Sequence, residues 1–142
     1  MFTEVPQVAR IGLYCGPTAI CAVTGLVPAT VIDAIQTLRD STKPVRGMSN
    51  AEMFNVLGFL GYRIEAWEPT SRRTVRKHCL KHIDDRPQIV SVYRHFVAHF
   101  DGDLVDNWSD GMAIPVELHA ARNRIVELFF YVRKVKCKSV SL

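Results

Sequence analysis

The rhythm of apolar and polar positions changes near the middle of the chain. In the first half, apolar residues recur at helical spacing between Gly and Pro punctuation. Cys15-Gly16-Pro17 opens an apolar run that predicts a short helix over 18–24, with Pro17 in its first turn and Gly25 past its end. Pro28 opens a second helix with Val31, Ile35 and Leu38 on one face, and 41–47 reads as a loop. Ser49-Asn50-Ala51-Glu52 has capping-box spacing and predicts a helix over 50–60, closed by Gly61. A short strand over 62–67 follows. A basic helix capped by Thr70 or Ser71 then runs to about residue 83, and Arg86-Pro87 ends it.

In the second half, 88–93, 95–100, 103–107 and 125–133 are rich in Val, Ile, Phe and Tyr and read as strands. A short helix entered through Pro115 fits within 114–123, and 136–142 reads as a frayed end. Helices first and antiparallel strands later predict an α+β fold, with N-terminal helices packed on a C-terminal antiparallel sheet.

Composition narrows the class. The 142 residues are 48% hydrophobic and 23% charged, as in an ordinary globular protein, so a single domain spanning 1–142 is expected. Disorder, collagen-like sequence and a coiled coil are excluded. No apolar run is long enough to cross a membrane, and residues 1–10 contain Glu4 and no apolar core of an export signal. The net charge of +4 is unevenly spread. Arg72, Arg73, Arg76, Lys77, Lys81 and Arg86 crowd one segment, and Arg133, Lys134, Lys136 and Lys138 crowd another. These read as solvated faces, or as a patch for an acidic partner or nucleic acid, the second being less favoured. The four cysteines, at 15, 21, 79 and 137, form no CxxC pair and no disulfide framework, which suits a reducing cytoplasmic setting.

Cys15 stands at or just before a helix N-terminus. Free backbone N–H groups and the positive dipole end there favour a thiolate, and the same N–H groups suit an oxyanion. Gly16 keeps side-chain bulk away from the sulfur. A buried structural cysteine before a helix is the competing reading. Cys21 and Cys79 fall inside helices and read as packing residues.

A nucleophilic cysteine needs a base, and the base an orienting group. The stretch His95-Phe96-Val97-Ala98-His99-Phe100-Asp101-Gly102-Asp103-Leu104-Val105-Asp106-Asn107 offers both. Asp101-Gly102 is a strong two-residue hairpin signal. With that turn, Phe100 pairs with Asp103, His99 faces Leu104, Val97 faces Asp106 and His95 faces Trp108. Alternation puts His95, His99 and Asp106 on one face and turns Asn107 to the other. Asp106 is then diagonal to both histidines, at roughly 7–8 Å between Cα atoms. The register selects Asp106 over Asn107 and leaves His95 and His99 open. A plain hairpin with a surface His and Asp is the alternative. Beside the turn, where the chain reverses into solvent, His99 reads as a surface residue.

Metal chemistry is weakly signalled. His78 and His82 have i, i+4 spacing on the basic helix, but two ligands make no site. His119 shows no partner in the sequence.

The residues Tyr-Cys-Gly-Pro-Thr-Ala at 14–19, Gly-Tyr at 61–62, and His-Phe-Val-Ala, Asp-Gly and Val-Asp-Asn within 95–107 resemble small papain-like cysteine peptidases. The similarity is to those that cleave double-glycine leader peptides and to short phage-encoded relatives. The resemblance implies a papain-like fold with Cys15 as nucleophile, His95 as general base and Asp106 as its orienter. It implies no cofactor and a peptide or protein substrate. An oxyanion-donating Gln six residues before the Cys is usual in that family. Here Ala9 holds that place, with Gln7 eight before, so Gln7 and Gly16 are the oxyanion candidates. The expected function is a thiol hydrolase of peptide, isopeptide or related amide bonds. The alternative is a non-catalytic protein on the same scaffold, binding a host protein or nucleic acid through its basic faces.

Overall fold

The computed structural model describes residues 13–69, 72–82 and 86–135, the stretch 66–69 by its backbone alone. Three helices come first: α1 (Cys15–Thr24), α2 (Pro28–Arg39) and α3 (Asn50–Phe59). Strand β1 (Tyr62–Pro69) and helix α4 (Val75–Lys81) lead into β2 (Gln88–Val92), β3 (His95–Phe100) and β4 (Asp103–Val105). The short β5 (Ile114–Pro115), a 3₁₀ turn at Val116–Leu118 and β6 (Val126–Lys134) complete the described part.

Local chemistry explains most boundaries. Helix α1 ends at Gly25, whose φ of 77° is the left-handed value that glycine adopts without cost, and whose N–H reaches the Cys21 carbonyl. Pro28 starts α2. On α2 the buried stripe is Val31, Ala34 and Ile35, while Leu38 is 45% exposed, so the apolar face is rotated from the one expected. Ser49 caps α3 by accepting the Glu52 N–H. The Glu52 carboxylate does not return to the cap. It forms a two-pronged ion pair with Arg39, which ties α3 to α2. The basic helix is capped by Thr74, which accepts the Lys77 N–H; Thr70 and Ser71 lie outside the described residues. Where a helix was expected within 114–123, β5 and the 3₁₀ turn are found, because Ile114 and Pro115 pair with β4 instead.

The strands form one six-stranded sheet in the order β1-β6-β2-β3-β4-β5, with every pairing antiparallel. The β3–β4 hairpin has the expected register, with Phe100 opposite Asp103 and His99 opposite Leu104. Asp101 and Gly102, at φ 47° and 86°, supply the left-handed pair that such a two-residue turn requires.

Alternation along the strands feeds two cores. Ile89, Phe96, Ala98, Leu128 and Phe130 pack with Ile20, Ile35, Met53 and Leu57 from the three N-terminal helices. Val90, Val97, Leu104 and Phe129 pack on the other side with Val75 and Cys79 of α4. The architecture is α+β, helices on an antiparallel sheet. Among the described residues no helix is long and apolar enough to cross a membrane.

Candidate active site

Cys15 is the first residue of α1, and α1 packs against β3, the strand that begins with His95. The helix start and the strand start therefore meet. Cys15 Sγ is close enough to the His95 ring, and to the backbone N–H groups of Phe96 and Gly16, for each to favour a thiolate there. His95 Nε2 lies 2.6 Å from Asp106 Oδ2, which leaves Nδ1 for the sulfur. His95 is 5% exposed and Asp106 fully buried, so little water competes for these bonds.

Their proton affinities follow from these partners. Burial pushes the Cys15 thiol up, but the hydrogen bond and charge of His95, with the two backbone donors, hold it below its ordinary value. Burial pushes His95 down, and Asp106 and Cys15 together outweigh it and raise it. Burial raises Asp106, yet donors from His119 and His95 bring it down to about 2. A low thiol beside a raised imidazole is the arrangement that stabilises a thiolate–imidazolium pair.

Asp106 lies just past β4, on the face that alternation assigns it. Its carboxylate and backbone are held by a turn. The Ser109 N–H donates to Oδ1 at 2.9 Å, and the Gly111 N–H donates to the Asp106 carbonyl at 2.8 Å. Asn107 does not take its place at His95. Trp108 covers the imidazole, with ring planes 6° apart and centroids at 3.6 Å, and the Arg124 guanidinium lies over the indole. The sequence register already set Trp108 opposite His95, though the ladder stops at Val105.

His99 corrects an expectation. It is fully buried rather than a surface residue, because alternation places it with Val97 and Leu104 on a covered face. Its Nε2 accepts the Gly102 N–H at 3.0 Å and so belongs to the hairpin turn. Gly16 is also buried. A Cβ there would meet Met48 Sδ at 2.5 Å, so its lack of a side chain makes room for Met48 rather than for open cleft. Gln7 and Cys137 lie outside the described residues.

Sequence reasoning missed His119. It is 1% exposed, and its Nε2 sits 2.9 Å from Asp106 Oδ1. It stands in irregular backbone beyond β5, where no periodicity points to a partner.

A cleft of about 450 Å³ opens at Cys15 and His95. Met48 and Asn50 line it from the segment entering α3, Arg94 from the β2–β3 turn, and Glu127 from β6. Cys21 and Cys79 are unsuited to reaction, since burial pushes both up to about 12. His78 and His82 stack with centroids at 4.4 Å, and His78 Nε2 is bonded to Gln88 at 2.6 Å. Among the described residues no three potential metal ligands gather.

One solved structure is similar over nearly the whole chain. It is a double glycine motif protease from an AMS/PCAT transporter, in complex with the leader peptide. The TM-score is 0.57 at 15% identity, over 95% of this chain and 93% of that one. The fold is papain-like. No family model matches the chain, and no curated protein matches it in sequence. At this identity the likeness is one of papain-like architecture, and the chemistry rests on the residues at the cleft.

Proposed function

We propose that the chain acts as one domain that hydrolyses a peptide, isopeptide or related amide bond, with Cys15 as nucleophile, His95 as general base and acid, and Asp106 as orienter. The observation that carries this reading is the position of His95 between the Cys15 sulfur and the Asp106 carboxylate, at the mouth of a cleft. A peptide substrate is supported by the leader peptide bound to the similar protease.

In this mechanism His95 Nδ1 takes the thiol proton and the sulfur attacks the carbonyl carbon. The negative oxygen that develops sits near the start of α1, where the Gly16 N–H and the helix dipole favour it. Gln7 remains the side-chain candidate for the same role. As the tetrahedral intermediate collapses, the C–N bond breaks and the His95 proton passes to the leaving amine. Water, deprotonated by the same imidazole, then hydrolyses the thioester and frees the sulfur. Asp106 accepts the hydrogen bond of the His95 Nε2–H throughout, which keeps Nδ1 pointed at the sulfur.

Brief iodoacetamide treatment at pH 6, followed by peptide mass spectrometry, tests the nucleophile. Cys15 is expected to be labelled far faster than Cys21 and Cys79. Cys15→Ala is expected to abolish amide hydrolysis with little change in thermal midpoint. Equal labelling of the three thiols, or turnover that survives Cys15→Ala, removes the assignment.

A further inference from the structure

Asp106 has a second imidazole on it. Its Oδ2 serves His95, and its Oδ1 receives the Ser109 N–H and His119 Nε2, both at 2.9 Å. Ser109 belongs to the same turn as Asp106 and moves with it. His119 comes from a different segment, 13 residues on, and is itself fixed: its Nδ1 accepts the Ala121 N–H at 2.9 Å. A nitrogen that accepts carries no proton, so the His119 proton resides on Nε2 and points at the carboxylate.

We propose that His119 is a positioning residue, which by donating Nε2–H to Asp106 Oδ1 holds the carboxylate ionised and turned so that Oδ2 faces His95. The proposal rests on the reading of Cys15, His95 and Asp106 given above. A carboxylate with no exposure keeps its charge only while donors surround it. His95 supplies one donor, on a ring whose charge changes as Nδ1 gains and loses its proton. His119 supplies another that stays in place. The depressed proton affinity of Asp106 agrees, with the His119 bond opposing burial ahead of the His95 bond. Ring rotation at His119 would break the bonds to Asp106 and Ala121 together.

Among the described residues, Arg94 and Glu127 line the cleft beside Cys15 and His95. Cys15 of α1 and Asp106 face His95. Asp106 faces His119, and Arg122 binds the His119 backbone carbonyl. Arg124 lies over Trp108, the ring that stacks on His95.

The test compares the full chain with His119→Leu and His119→Gln, and reads iodoacetamide alkylation of Cys15 against pH. Leu removes the donor and keeps the bulk. Gln restores an N–H at similar reach without an imidazole. In His119→Leu the alkylation limb is expected to move to higher pH, with the rate at pH 6 falling about tenfold. His119→Gln is expected to keep the wild-type limb. Coincident His119→Leu and wild-type profiles, or a His119→Gln profile like that of Leu, overturn the positioning role alone. A wild-type chain with no fast limb at acidic pH overturns the nucleophile reading first, before any variant is compared. Imidazole ¹⁵N NMR of the unmodified chain gives a readout independent of variant folding: protonated Nε2 and bare Nδ1 are expected at His119, and a protonated Nδ1 overturns the assignment.

Discussion

Two pairs of histidines lie in this molecule, and their surroundings make them chemically unlike. His95 and His119 share the carboxylate of Asp106. His78 is bonded to the neutral amide of Gln88, stacks with His82 and lies tilted against Phe129. His78 and His95 are both nearly or wholly removed from solvent. Burial alone would disfavour the charged form of each. At His78 burial prevails, helped by its proximity to His82 and Arg73, and its proton affinity falls to about 4. At His95 the Asp106 charge and the Cys15 sulfur prevail, and the affinity rises. The partner, not the depth, decides which buried imidazole can carry a proton.

Replacing each histidine separately gives the sharpest contrast. His95→Ala is expected to lower amide turnover by about 10²–10⁴, the loss that follows removal of a general base. His78→Leu is expected to leave turnover per folded molecule unchanged. Steady-state rates on one amide substrate, normalised to folded protein, check both. A comparable rate loss in His78→Leu would erase the distinction between the pairs.

Stability against pH separates them next. The folded-state affinity of His78 lies below the ordinary 6.5, so the unfolded chain binds that proton more readily. Stability from this group is complete above pH 6.5 and declines as pH falls toward 4, by about 3 kcal/mol in all. His95 acts with the opposite sign: its contribution is complete below 6.5 and is lost as pH rises through its raised folded value. The contribution of Asp106 is present above 3.8 and is lost as pH falls through about 2. Urea unfolding at a series of pH values should show the loss between 6.5 and 4, and His78→Leu should flatten it. A wild-type curve that is level over that interval would contradict the environment assigned to His78.

The smallest effect concerns the helix beneath the second pair. Thr74 caps α4 by accepting the Lys77 N–H. Thr74→Ala is expected to cost about 1 kcal/mol of stability. It should leave Cys15 alkylation unchanged, since α4 does not line the cleft. Denaturant midpoints and alkylation rates measured on the same samples check this. Slower alkylation at Cys15 would show that the two regions are coupled.

What the sequence disclosed depended on whether local rules were enough. Cys15 stood out because Gly16 and Pro17 mark a helix start. Asp106 could be chosen over Asn107 because the Asp101-Gly102 turn fixes the hairpin register. The strands other than β5 were legible within a residue or two from their β-branched and aromatic runs. Contacts made across the sheet or through irregular chain were not. Leu38 has helical spacing with Val31 and Ile35, yet tertiary packing selects Ala34 in its place. Glu52 has capping-box spacing, but an arginine on another helix competes for it. His99 lies beside a turn and is buried all the same, because its pleat face is covered. His119 is placed by a two-residue strand and a single 3₁₀ turn, neither of which has a periodic signature.

Gly16 has a consequence for how this chain tolerates change. A methyl group at that position would fall on Met48 Sδ, Cγ and Cβ at 2.5, 3.0 and 3.3 Å. The helix backbone cannot retreat without moving the sulfur, so Met48 is the side that yields, and Met48 borders the cleft. Substitution at 16 thus has two coupled outputs, a strained helix start and a reshaped entrance for the substrate. A side chain at 16 is therefore accommodated through Met48, and the two positions together set the aperture of the cleft.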